Sequence, residues 1–109
     1  MKTLKIHLIR HGATDANFKG QYIGSKTDLP LSPEGLNELR LLKDNMDYPE
    51  VERVYSSPLL RCRQTGAVLY PDKEIIKVEN LKEYDFGAFE GKTAAELEKS
   101  PVFPRWLAG

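Results

Sequence analysis

Hydrophobic and polar positions along this chain change period several times, and each change marks an element. Residues 4–10, LKIHLIR, alternate, with Ile6, Leu8 and Arg10 on one face and His7, Ile9 and His11 on the other, which predicts a strand. Residues 18–31 lose that periodicity and carry Gly20, Gly24, Asp28 and Pro30, so they read as a loop. In LSPEGLNELRLLKDNM, Leu36, Leu39, Leu42 and Met46 follow at helical spacing, with Ser32 as the cap and Pro33 at the first helical position. After Pro49, VERVYSS reads as a short strand rich in β-branched and aromatic residues. SPLLRCRQTGAVLY repeats the cap-and-proline signal with Ser57 and Pro58 and predicts a second helix. EIIKVE is a third strand, and a glycine-bearing loop runs on to Gly91. Thr93 then caps a last helix predicted to stop before Pro101.

Strands alternating with helices predict an α/β fold with a mostly parallel central sheet flanked by helices. Ligands of such sheets bind beyond the carboxyl ends of the strands. Arg10 and His11 stand at one such end and Ser56 and Ser57 at another, so both polar clusters are expected to face one crevice. The closing stretch, SPVFPRWLAG, carries Phe103, Trp106 and Leu107, aromatic and apolar groups that need a surface to pack on. Residues 1–109 are therefore expected to be the N-terminal part of a single domain.

Charge and composition narrow the partners. Sixteen basic residues balance sixteen acidic ones, so no global field gathers nucleic acid or anionic lipid, and any anion site must be local. No apolar run approaches membrane-spanning length, and the first residues lack the apolar core of a signal peptide. The single cysteine, Cys62, forms neither an internal disulfide nor a cysteine metal cage, and is expected to pack inward from its helix. The expectation is a cytoplasmic protein without metal or cofactor, whose partner is a small molecule.

Arg10-His11-Gly12 supplies the local chemistry. A guanidinium binds two phosphate oxygens through its planar fork and keeps its charge. An imidazole beside arginines is disfavoured as a cation and stays nucleophilic near neutral pH. A glycine admits a ligand close to the backbone. A solvated strand end would also account for an isolated triplet of this kind.

Four blocks in order give the triplet its meaning: LIRHGATDAN, DLPLSPEGLNEL, VYSSPLLRCRQT and LKEYDFGAFEG. Together they resemble the histidine phosphatase superfamily, the phosphoglycerate mutase-like family, over about residues 4–97. The resemblance implies a phosphoglycerate mutase-like α/β fold and a metal-independent phosphomonoesterase working on a small phosphorylated metabolite. By position, His11 resembles the residue that becomes phosphorylated. Arg10, Arg61 and Asn17 resemble the groups that hold the phosphoryl oxygens, with Gly12 beside them. Glu83 resembles the general acid, which must hold a proton as the alkoxide leaves, a state the adjacent phosphate charge favours.

The sequence departs from the family in one respect. The family pocket uses a second histidine far downstream, and this chain has only His7 and His11. On one strand face these lie about 13 Å apart at roughly 3.3 Å per residue, so His7 cannot share a phosphate with His11. It is expected to be a packed or solvated sheet residue.

Other chemistries fit less well. GAFEGKT has one residue too few for a P-loop, and a cysteine phosphatase would need an arginine where Val68 stands. Within the family, mutases follow the catalytic glutamate with Arg-His-Tyr-Gly-type residues that hold a carboxylate. Here Tyr84, Asp85, Phe86 and Gly87 follow Glu83, and an aspartate repels a carboxylate, which favours a hydrolase. GQYIGSKTDLPLSPEG is similar to the branch that dephosphorylates α-ribazole phosphate, and also to many general phosphatases. The alternatives are a phosphoglycerate mutase-type transferase and a non-catalytic phosphate-binding relative lacking the second histidine.

Overall fold

The computed structural model describes residues 3–83, 85 and 90–97. Seven short elements follow one another. They are α1 (Asp15–Phe18), α2 (Pro33–Asn45), β1 (Val54–Ser56), α3 (Leu60–Leu69), β2 (Ile75–Lys77), a 3-10 turn (Glu79–Leu81) and α4 (Ala94–Leu97).

The sheet is a parallel pair. Val54 lies opposite Ile75, Tyr55 opposite Ile76 and Ser56 opposite Lys77, and the Val78 amide extends the ladder by donating to the Ser56 carbonyl at 2.8 Å. Helix α3 is the crossover, as parallel strands require. Its Gly66 lets Ile75 approach so closely that a Cβ there would stand 3.0 Å from the Ile75 Cδ1.

Helix α2 packs on α3, and the core lies between them. Leu31, Leu39 and Leu69 are buried, and Leu36, Tyr48, Val68 and Tyr70 pack against them. The Tyr70 hydroxyl donates to the Pro49 carbonyl at 2.7 Å, and burial raises its pKa above the ordinary phenol value. Leu42 and Met46, expected on the apolar face of α2, are exposed instead. The helix reaches the core through Leu36 and Leu39, in its first half.

Capping follows the sequence at two helices and departs from it at a third. Ser32 Oγ accepts from the Gly35 amide at 2.9 Å, with Pro33 at the first helical position. Thr93 Oγ1 accepts from the Glu96 amide at 3.2 Å at the start of α4. The expected Ser57 cap of α3 is different. The cap position is Leu59, which offers no side-chain bond, and the Leu60 amide donates at 2.7 Å to Asp28 Oδ1 in the preceding loop. The helix is thereby tied to the loop, while Ser57 Oγ serves the Leu59 amide at 3.3 Å.

The predicted first strand is the main correction. Residues 3–10 adopt no regular secondary structure, and Leu4, Ile6 and Leu8 are 83%, 74% and 93% exposed. Alternation makes a segment competent to be a strand, but a strand also needs a ladder partner. None of the described residues supplies one. His7 is accordingly exposed rather than part of a sheet. The expected end of the last helix and the Phe103, Trp106 and Leu107 tail lie outside the described residues.

Candidate active site

The backbone around His11 is held from three directions. The Gly12 amide donates to Thr65 Oγ1 at 2.9 Å, and Thr65 in turn donates to the Arg61 carbonyl at 2.8 Å within α3. The Ala13 carbonyl accepts the Ser32 amide at 3.0 Å, at the start of α2. Thr14 and Asn17 form a capping box around α1. The segment after His11 is thus fastened to the starts of α1 and α2 and to the middle of α3.

Two glycines permit this approach. A Cβ on Gly35 would sit 2.0 Å from the Ala13 carbonyl oxygen. A Cβ on Gly12 would sit 3.2 Å from a Leu31 methyl. Gly12 therefore fits against the core, with its amide spent on Thr65, and does not line the cavity where the ligand role was expected.

Arg10, His11, Asn17 and Glu83 line one cavity of about 520 Å³. Gln21, Tyr22, Ile23, Ile9 and Cys62 complete its described wall. Arg10 and Glu83 are exposed and His11 is half-buried. Four of the candidate residues, drawn from two blocks far apart in sequence, thus meet around one space.

The His11 ring has a defined proton arrangement. Its Nδ1 lies 2.5 Å from the Gly12 carbonyl oxygen. A carbonyl only accepts, so Nδ1 carries the proton and Nε2 keeps its lone pair. Burial lowers the His11 pKa below the ordinary 6.5, and the charges of Arg61 and Arg10 push the same way. The Gly12 bond and the Glu83 carboxylate oppose them, and the net direction is down. The neutral, nucleophilic ring expected from the sequence has burial as its first cause, with the arginines behind it.

Arg61 stands apart from the cavity wall. It is 1% exposed, and its two Nη atoms donate to the carbonyls of Thr27 at 2.6 Å and Gly24 at 3.3 Å. Its Nε is buried without a partner. In this structure the guanidinium anchors the loop before α2 and acts on His11 through its charge. Asn17 lines the cavity, but its Oδ1 accepts from the Thr14 amide at 2.9 Å and from Thr14 Oγ1 at 3.1 Å. Only its NH₂ end can serve a ligand anion.

Ser56 and Ser57 are buried, with the Ser56 hydroxyl donating to the Ser57 carbonyl at 2.7 Å, and neither lines the cavity. The crevice is built by the loop after α1 instead. Cys62, expected to pack inward, is half-buried on the cavity wall. Asp85, invoked against a mutase, pairs with Lys26 at 3.3 Å and does not line the cavity. Tyr84, Phe86 and Gly87 lie outside the described residues.

Thr65 and the Gln21–Ile23 wall were not singled out from the sequence. Thr65 had a signal, since it falls one helical turn after Arg61 in the same block. Gln21–Ile23 had none, because a loop without periodicity does not say which of its residues face inward.

Residues 6–109 match the family model of the histidine phosphatase superfamily (branch 1), and the chain belongs to that family. Phosphoserine phosphatase 1 of Hydrogenobacter thermophilus is 33% identical over 108 residues, covering 95% of this chain and 51% of the relative. The crystal structure of a phosphoserine phosphatase from Entamoeba histolytica, in complex with 3-phosphoglyceric acid, matches 91% of this chain and 49% of its own, with TM-score 0.73 and 35% identity. That of the α-ribazole phosphatase from Shigella flexneri matches 92% and 51%, with TM-score 0.78 and 27% identity. The α/β, phosphoglycerate mutase-like fold is shared with these neighbours. The chain spans about half the length of the curated relatives it matches.

Proposed function

We propose that this chain carries the nucleophile half of a phosphomonoesterase that hydrolyses a small phosphorylated metabolite through a phosphohistidine on His11, without a metal. The observation that carries the reading is the meeting of Arg10, His11, Asn17 and Glu83 around one cavity, with Nε2 of a neutral His11 holding a lone pair. The phosphatases among its relatives support the same chemistry.

In the first step Nε2 attacks phosphorus in line, and the bond from phosphorus to the ester oxygen breaks. Glu83 gives its proton to the departing alkoxide. In the second step Glu83, now a carboxylate, takes a proton from water, whose oxygen attacks phosphorus and breaks the N–P bond. Inorganic phosphate leaves and His11 returns to its neutral form. Arg10 and the Asn17 NH₂ hold the equatorial oxygens, and the charge of Arg61 favours the transferring group. The buried, unpartnered Nε of Arg61 is the donor that this arginine still has to offer.

We further propose that residues 1–109 form the N-terminal part of a single histidine phosphatase domain, with the second catalytic histidine outside them. The half-length match to relatives and the exposed Leu4, Ile6 and Leu8 support this. A cytoplasmic location is part of the same proposal. As a separate observation, no helix among the described residues is long and apolar enough to cross a membrane.

The test is acid quench of the protein during turnover of a ³²P-labelled phosphomonoester, with chelator present. Label is expected on His11 and absent in His11→Ala, together with loss of hydrolysis. Retained turnover in that variant overturns the assignment of the nucleophile.

A further inference from the structure

Resting on the phosphatase reading above, we infer that Thr27 is a positioning residue. It joins the helix that carries Arg61 to the chain that carries Glu83, and so sets where the general acid meets the leaving oxygen. Lys26, Thr27 and Asp28 are consecutive loop residues that bond in two directions. Toward α3, the Thr27 carbonyl accepts Arg61 Nη1 at 2.6 Å, and Asp28 Oδ1 accepts the Leu60 amide at 2.7 Å. Toward the chain after Glu83, Lys26 Nζ lies 3.3 Å from Asp85 Oδ2, and the Thr27 hydroxyl donates to the Glu90 carboxylate. Of the three, Thr27 bonds both ways, through its carbonyl to one side and its hydroxyl to the other.

Earlier residues of the loop keep the same company. The Tyr22 amide donates to the Lys92 carbonyl at 2.8 Å, and the Gly91 amide donates to the Tyr22 carbonyl at 2.7 Å. Gln21 bridges Thr93 in antiparallel fashion. The loop is therefore fastened at several points to the chain that follows Glu83.

Reach makes this matter for the chemistry. A general acid transfers its proton only from within hydrogen-bond distance of the departing oxygen. His11 is placed by α3, because the Gly12 amide donates to Thr65 on that helix. Glu83 comes from a different stretch of chain, lines the same cavity and acts on the His11 ring through its charge. Thr27 is half-buried between the two stretches and does not line the cavity, so it acts through the segment it holds. The neighbouring Lys26–Asp85 pair is 70% and 42% exposed and contributes little to that hold. A hydroxyl bonded to a carboxylate is charge-assisted and directional, so the anchoring falls on Thr27.

The experiment uses the intact protein and two esters that differ in their need for a proton. 2-Phenylethyl phosphate departs as an alkoxide and needs the proton of Glu83, whereas 2,4-dinitrophenyl phosphate departs as a stabilised phenolate and does not. A purely structural role for Thr27 would slow both alike. Thr27→Val keeps the shape and the carbonyl but removes the hydroxyl. It is expected to lower kcat/KM for the phenylethyl ester at least about tenfold more than for the dinitrophenyl ester, and Thr27→Ser to restore the ratio. Glu90→Leu cuts the same bond from its other end and is expected to shift the ratio in the same direction. The double variant should be no worse than the more affected single one. Equal losses on both esters, or none, in a folded Thr27→Val or Glu90→Leu protein overturn this inference and leave the phosphatase reading standing. Losses that add in the double variant also overturn it. A wild-type ratio in Glu83→Gln removes Glu83 as the acid, and this inference with it. No turnover of either ester and no labelled His11 overturns the phosphatase reading itself.

Discussion

At the residue scale the proposed chemistry turns on one ring nitrogen. His11 reaches its neutral form because it is half out of water and lies in the field of two arginines, with Arg61 the stronger of the pair. A lowered pKa keeps Nε2 unprotonated at pH values where a free imidazole is already a cation. The acid limb of kcat/KM is therefore expected below 6.5, the ordinary value. Arg61→Gln removes a charge that lowers this pKa, so the limb and the NMR titration of the His11 ring should both move to higher pH. A limb that stays in place would separate Arg61 from the electrostatics of His11. The linkage to stability has the same root. The unfolded ring binds a proton more readily than the folded one, so the fold loses stability as pH falls from 6.5 towards the depressed value.

Thr65 acts one bond further out, because its hydroxyl is the partner of the Gly12 amide. Thr65→Val keeps the shape and removes the acceptor, leaving a backbone donor unpaired. The expected cost is about 1–3 kcal/mol by urea unfolding, with kcat falling more than KM changes. Thr65→Ser should restore both, and equal losses in Ser and Val variants would point to packing instead.

Elements show what the sequence could and could not disclose. The caps Ser32 and Thr93 and the proline at the start of α2 are local signals, and the chain obeys them because each concerns residues within a few positions of one another. Asp28 capping α3 spans 32 positions, and the Thr65 bond to Gly12 spans 53. No periodicity encodes such pairs. The placing of Arg10 and His11 at one cavity was legible because they are adjacent in sequence; the wall facing them was not, since a loop assembles it.

The junction of α2 with the residues after His11 gives a graded test. Ser32→Ala removes one capping bond and should cost about 1 kcal/mol. Gly35→Ala places a Cβ against the Ala13 carbonyl, which belongs to backbone and cannot rotate aside. That variant should lose more than about 3 kcal/mol and most of its activity, since Ala13 is two residues from His11. Differential unfolding of the two proteins checks the order. If Gly35→Ala is the milder change, α2 does not bear on the site as closely as its geometry implies.

For the whole molecule, the segment that delivers His11 carries the most exposed large apolar side chains among the described residues. Leu4, Ile6 and Leu8 lie in water, and Ile9 is 43% exposed at the cavity rim. Three large apolar side chains at alternate positions form a stripe that a folded protein ordinarily covers. Deleting the apolar group of a residue already in water costs little, whereas deleting a buried one costs about 2 kcal/mol or more. In the 109-residue chain by itself, Leu8→Ser is thus expected to change unfolding free energy by less than about 0.5 kcal/mol, and the amides of residues 4–9 to exchange within the fastest class. In a longer protein holding the rest of the proposed domain, the same substitution should cost several times more and those amides should be protected. The difference bears directly on catalysis. Arg10 and His11 follow the stripe without a break, so whatever covers it also limits how far these two groups wander from Glu83. Turnover per molecule should then rise with protection of residues 4–9. Slow exchange there in the short chain, or an equal cost of Leu8→Ser in both proteins, would break that connection between cover and chemistry.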